Sequence, residues 1–310
     1  KNDYIAIFLR GGNREPVGKF DIPLESLISL CVSEDKRFLF SGTDRTIIQW
    51  EISSKNKVRT FVGHSDGVTA IHTRGDLVVS ADYGGNVIVW NARTGASMHT
   101  LRPSRPSNIS SWSTPSVRDV QLSRDTHSLF YAQKRAAIRY DVTTRAEMKR
   151  YDGHSGDVNG LTVTNDDSQL ITASDDKTCI LWDVLSAARL RTFLGHTDRI
   201  GSISLSPCSN RLFATCSNDG TAALWDIRKT RPLHIFQDVD EGHNQVESHV
   251  CPGEWFDCVS RVAFTPCGRR FVTLGLDTEA ILWDLRSFVN DLPARFALLH
   301  SLRTLHANAT

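Results

Sequence analysis

The chain has 310 residues, 40% hydrophobic and 23% charged, with a net charge of +1, long enough to bury a sizeable core. That balance excludes a chain charged along its length for holding a polyanion, and no apolar run reaches the roughly 18 residues of a membrane helix. Seven cysteines without regular spacing exclude a disulfide-framed mini-protein and point to free thiols in an intracellular setting, cytoplasmic or nuclear.

At the N-terminus, KNDYIAIFLRGGN lacks the small-residue cleavage site of a secretory signal. Tyr4–Phe8 and Val17–Phe20 read as two short strands. From Leu27 onward a pattern repeats. Trp50, Trp90, Tyr140, Trp182, Trp225 and Trp283 each close an apolar run: IIQW, VIVW, AIRY, CILW, AALW and AILW. Each is preceded by an alternating trio, such as Val158/Leu161/Val163 or Ile200/Ile203/Leu205, then a short strand, then a turn rich in Asp, Asn and Gly. A more polar strand follows each of the first five aromatics: VRTF, MHTL, MKRY, LRTF, LHIF. The spacing predicts units of four short antiparallel strands, about forty residues each. Such a unit buries both faces only against copies of itself.

Gly153-His154 with Trp182-Asp183, and Gly195-His196 with Trp225-Asp226, resemble the Gly-His and Trp-Asp signatures of WD-repeat β-propellers. The resemblance covers essentially the whole chain and implies one all-β domain, 1–310, built of four-stranded antiparallel blades. Six blades are complete in the sequence. A seventh is expected to be shared between the termini, combining the two N-terminal strands with Leu302/Leu305/Ala307. Residues 286–310 are expected to hold the last outer strand and then either a closing strand or a short helix beginning at Pro293.

Within the repeat, His154, Ser174, Asp176 and Trp182 form one set, and His196, Ser217, Asp219 and Trp225 another. Asp lies six residues before Trp and Ser eight before it. A Ser, a His and an Asp together suggest a nucleophilic triad. Recurrence with the repeat argues instead for scaffolding, since one active site would not recur and the residues come without an oxyanion site. The resemblance implies a structural tetrad in which Trp N–H donates to Ser, Ser to His and His to Asp. Other blades depart: Gly42 and Gly275 stand at the Ser position, Gly84 and Lys134 at the Asp position. The complete sets are therefore expected only in the Trp182 and Trp225 blades.

Function is expected in loops carried by this scaffold. Two insertions break the spacing, 102–116 and 238–258. The first carries Trp112 among Pro and Ser; the second carries Trp255, Phe256 and Asp257. Trp is enriched among binding hot spots. Beside the Gly-His loops or before the turn acid stand Tyr83, Asp157, Asp175, Asp198, Arg199 and Asn218, a candidate partner-binding ring. His243, His249, Cys251 and Cys258 are zinc-type donors, but His-x5-His-x-Cys-x6-Cys matches no familiar zinc signature. No cofactor is expected. The resemblance implies a non-catalytic interaction scaffold, or the substrate-recognition module of a larger complex, binding other proteins or peptides. The alternatives are nucleic-acid or phospholipid binding through Arg102, Arg105, Lys134 and Arg135, and an enzyme at the central channel. No phosphate-binding Gly-rich loop and no HExxH occurs.

Overall fold

The computed structural model describes residues 5–7, 18–20, 27–102, 116–237, 259–275, 280–285 and 301–302. They are organised in two compact units, Lys1–Arg150 and Tyr151–Thr310. Among the described residues the secondary structure is all β, with no α-helix.

Six four-stranded antiparallel sheets follow one another, each strand pairing with the next in the chain. Blade 1 runs from Ser29–Val32 to Lys57–Val62, blade 2 from Val68–Arg74 to Ser97–Leu101, and blade 3 from Val117–Leu122 to Ala146–Asp152. Blade 4 runs from Val158–Val163 to Arg189–Leu194, blade 5 from Ile200–Leu205 to His234–Gln237, and blade 6 from Val259–Phe264 to Ser301–Leu302. These are propeller blades, six among the described residues and not seven. Two findings correct the expected seventh. Among the described residues, Ile5–Ile7 and Gly18–Phe20 pair only with each other, as a separate two-stranded sheet. Ser301 and Leu302 pair with Ile281 and Ala280, so they complete blade 6 as its outer strand. A two-residue stretch committed to that edge cannot also open a new blade. The remainder of 286–310 lies outside the described residues.

The burial pattern explains the strand sequences. Second strands such as Gln169–Ser174 and Leu212–Ser217 are buried along almost their whole length, because both sheet faces are covered; they therefore read as runs of apolar and small hydroxyl residues without an exposed face. Outer strands such as Arg189–Leu194 keep a single buried position, Phe193. Within each unit the cores lie between consecutive blades. One joins blades 4 and 5 through Ile171, Leu181, Phe193, Phe213 and Trp225; another joins blades 2 and 3 through Val79, Val89, Val120, Tyr131 and Tyr140.

Each inner strand from blade 2 to blade 6 shifts register after its first residue, as between Val158 and Gly160. A bulge of this kind leaves one residue without a cross-strand partner and re-aims its side chain. In blade 2 that residue is Thr69, whose hydroxyl donates to Val117 O at 2.6 Å in blade 3. In blade 4 it is Asn159, whose Nδ2 donates to Ile200 O at 2.8 Å in blade 5. In these two blades the bulge thus fastens one inner strand to the next.

Candidate functional site

The repeated His, Asp, hydroxyl and Trp side chains do meet, with one substitution in the expected cast. In blade 4, Trp182 Nε1 donates to Thr172 Oγ1 at 2.9 Å, and His154 Nε2 lies 2.8 Å from the same oxygen. His154 Nδ1 is 2.8 Å from Asp176 Oδ2. Blade 5 repeats this with Trp225, Thr215, His196 and Asp219 at 2.8, 2.8 and 2.9 Å. The hydroxyl is therefore Thr172 or Thr215, and not Ser174 or Ser217. Strand pairing gives the reason. Trp182 sits opposite Leu170 and Trp225 opposite Phe213, so the threonines are two residues further along and the serines four, about 13 Å along a strand. Ser174 and Ser217 instead accept the backbone N–H of Asp176 and Asp219, each at 3.1 Å, within the turn.

Blade 2 holds a third complete set, which the sequence reading does not anticipate. Trp90 Nε1 donates to Ser80 Oγ at 2.8 Å, His64 Nε2 is 2.6 Å from Ser80 Oγ, and His64 Nδ1 is 2.9 Å from Asp82 Oδ2. The acid lies eight residues before Trp90, where blades 4 and 5 carry the serine, and Gly84 takes no part in the set. Among the described residues, Trp50 and Trp283 make the first link, to Ser41 and Thr273, each at 2.9 Å. The constant is the hydroxyl diagonal to the Trp across the strand pair, nine or ten residues earlier.

The chemistry of these sets is inward. An ionised Asp only accepts, so the His donates to it from Nδ1, and the hydroxyl accepts from the indole while lying within hydrogen-bond distance of Nε2. Thr172, Thr215 and Ser80 are each 0% exposed. Burial alone would raise the carboxyl pKa of Asp176, but hydrogen bonds from His154, Thr178 and Ser155 outweigh it and hold the group well below the usual carboxylate range. Asp219 behaves likewise through His196, Thr221 and Thr197. Asp82 is also lowered, its burial outweighed by His64 and Asn86.

The glycine of each Gly-His pair has a steric cause. A methyl group on Gly63, Gly153 or Gly195 would stand 3.0, 2.9 or 3.0 Å from Cη2 of Trp90, Trp182 or Trp225. The indole edge occupies the space a side chain would need. Gly153→Ala is therefore expected to destabilise the chain by about 1–3 kcal/mol, measured as a lower urea midpoint; an unchanged midpoint would contradict the contact.

The candidate partner residues cluster by structural position. Tyr83, Asp175 and Asn218 each directly follow a second strand, and each backbone N–H reaches back to the residue preceding its own inner strand: Gly67 O at 3.0 Å, Asp157 O at 2.8 Å and Arg199 O at 2.9 Å. Asp175 Oδ1 accepts from Asn159 Nδ2 at 2.7 Å, and Asp198 O accepts from Ser217 Oγ at 3.1 Å. In the first unit, Tyr83 is 50% exposed. It lines an open groove of about 680 Å³ with Ile28, Thr43, Asp44, Arg45, Asp66 and neighbouring backbone. Of the basic candidates, Arg102 and Arg135 are exposed and Lys134 is half-buried in a tight turn. Trp112, Trp255, Phe256, Asp257, Arg105 and the possible zinc donors His243, His249, Cys251 and Cys258 lie outside the described residues. Among the described residues no His, Cys, Asp and Glu cluster could hold a metal, and no helix is long and apolar enough to cross a membrane.

Comparison with known proteins agrees with this geometry. The family model "WD domain, G-beta repeat" matches residues 15–51, 55–91, 145–183 and 187–226. The guanine nucleotide-binding protein subunit beta of Zea mays is 30% identical over 240 residues, 74% of this chain and 58% of its own length. Subunit beta-1 of Nicotiana tabacum is 30% identical over 238 residues, and the Arabidopsis thaliana subunit beta 30% over 239, each covering 74% of this chain and 59% of the relative. The chain thus spans less than two thirds of the length of these relatives. By its repeated four-stranded blades and these matches, the chain belongs to the WD-repeat β-propeller family.

Proposed function

We propose that the chain is a non-catalytic scaffold that binds other proteins through the blade ends bearing its Gly-His loops. The observation that carries this reading is the groove beside Tyr83. A large aromatic stands half-exposed on a backbone position fixed by its bond to Gly67 O. Asp44, Arg45 and Asp66 border it, which gives an apolar anchor with charged edges, the pattern of a binding hot spot. The corresponding ends of blades 4 and 5 offer Asp157, Asp175, Asp198, Arg199 and Asn218. The buried hydroxyls support the non-catalytic part of the reading: each is 0% exposed and bonded to the Trp and His of its own blade. The relatives' names, subunits of a guanine nucleotide-binding protein, fit a component of a multi-protein assembly.

The test is quantitative affinity capture with the wild type and Tyr83→Ala, after confirming that the two melt alike. A hot-spot aromatic contributes about 2 kcal/mol or more, so capture of a groove-bound partner should fall more than about tenfold. An unchanged set of partners would remove the groove from the binding surface.

A further inference from the structure

Five blades share one turn between inner and second strands. In blades 1, 3 and 4 it contains Ser33 and Asp35, Ser123 and Asp125, or Thr164 and Asp166. The hydroxyl donates to the carboxylate two residues on. The carboxylate also accepts the N–H of Arg37, His127 or Ser168, at 3.0, 2.9 and 3.2 Å. In blades 5 and 6 the same turn reads Ser206-Pro207-Cys208 and Thr265-Pro266-Cys267. A thiol is a weak donor and a weak acceptor, so it cannot replace what the carboxylate does. Cys267 Sγ rests 3.2 Å from Thr265 Oγ1. Turn mechanics give no reason to place cysteine there in two successive blades.

The fold brings these two turns together. Cys208 Sγ lies 4.0 Å from Pro266 O. A methyl group on Gly268 would stand 2.9 Å from Cys208 Cβ and 3.1 Å from its Sγ. Cys208 therefore touches both sequence neighbours of Cys267. With successive Cα atoms about 3.8 Å apart, the Cys267 backbone lies within about 8 Å of Cys208 Cβ. A disulfide joins Cα atoms about 4.4–6.8 Å apart. Closing the pair requires the Cys267 side chain to turn off Thr265 and this turn to shift toward Cys208. Access differs from that of the core thiols. Cys208 is exposed and Cys267 half-buried, whereas Cys179 and Cys216 are buried; burial pushes the Cys216 thiol up to about 12.

We propose that Cys208 and Cys267 are a redox-modifiable dithiol, which hydrogen peroxide converts to a disulfide tying blade 5 to blade 6. The thiolate of one cysteine attacks a peroxide oxygen. The O–O bond breaks, one water leaves, and the sulfur becomes a sulfenic acid. The second thiolate attacks that sulfur, the S–S bond forms, the S–O bond breaks, and a second water leaves. Two thiols lose two electrons and two protons, and the peroxide gains them. The tie joins the two blades that lack the bulge stitch, since Gly201 holds the bulge position in blade 5 and has no side chain to reach blade 6.

The experiment treats the purified full chain with hydrogen peroxide, alkylates the remaining thiols, and maps a non-reducing digest by mass spectrometry. The expected product joins the Cys208 and Cys267 peptides within one chain, is reversed by dithiothreitol, and raises Tm over the reduced form. C208S and C267S should each abolish the linked peptide and the Tm difference, while melting like the reduced wild type. Recovery of both cysteines alkylated or separately over-oxidised would overturn the proposal, as would Cys208 linked to another cysteine or to a second chain.

Discussion

Asp82→Ala is expected to lower the unfolding free energy of the N-terminal unit by about 3 kcal/mol, and its Tm by roughly 6–12 °C. The His64 and Asp82 side chains are both 0% exposed and stand 2.9 Å apart. The carboxylate also accepts Asn86 N at 2.7 Å and Asn86 Nδ2 at 2.9 Å. Removing it leaves a buried imidazole N–H and a turn amide without their acceptor. Hydrogen bonds to a charged group are worth about 1.5–3 kcal/mol each, and an unsatisfied buried donor costs about 1–3 kcal/mol. Thermal unfolding followed by circular dichroism measures the effect. A Tm within a degree or so of wild type would show that His64 does not depend on Asp82.

Asp176→Ala should cost a similar amount, about 3 kcal/mol, in the C-terminal unit, and should also change the response to acid. Asp176 accepts from His154, Ser155 N, Thr178 N and Thr178 Oγ1 at 2.8, 2.9, 3.0 and 2.6 Å. Its folded pKa is lowered from 3.8. A carboxyl lowered on folding contributes stability that is fully present above its unfolded value and is lost as pH falls toward the folded one. Wild-type stability should therefore fall steeply below about pH 4, where Asp82, Asp176 and Asp219 begin to take up protons on unfolding. The slope for Asp176→Ala should be shallower by one such group. Urea midpoints measured across acid pH compare the two slopes; parallel slopes would contradict the assignment.

How far the sequence could be read depended on which direction along the sheet carried the information. Period and polarity run along the chain, so six aromatic-ended repeats and the Gly-His pairs sufficed for the blades. The hydrogen-bonded sets run across the strand pair. Counting back from Trp182 finds Ser174 and Thr172 on one face, and only the pairing of Trp182 with Leu170 decides between them. Blade 2 departs from the expected spacing for a related reason. Its acid moved two positions toward the second strand, to Asp82, so a fixed offset from Trp90 landed on Gly84. The seventh blade failed because Leu302 belongs to an alternating pattern that fits an inner or an outer strand equally, and pairing with Ala280 assigns it to the outer one. The paired turns of Cys208 and Cys267 carry no periodic signal; only the contact across blades 5 and 6 joins them.

The most direct measurement is urea unfolding of Thr172→Val beside Ser174→Ala. Val keeps the shape of Thr172 while removing the oxygen shared by Trp182 and His154, leaving two buried groups unpaired. The expected cost is about 2–3 kcal/mol, against under about 1 kcal/mol for Ser174→Ala, which loses one turn hydrogen bond. A larger loss for Ser174→Ala than for Thr172→Val would contradict the buried relay and return the hydroxyl role to the serine.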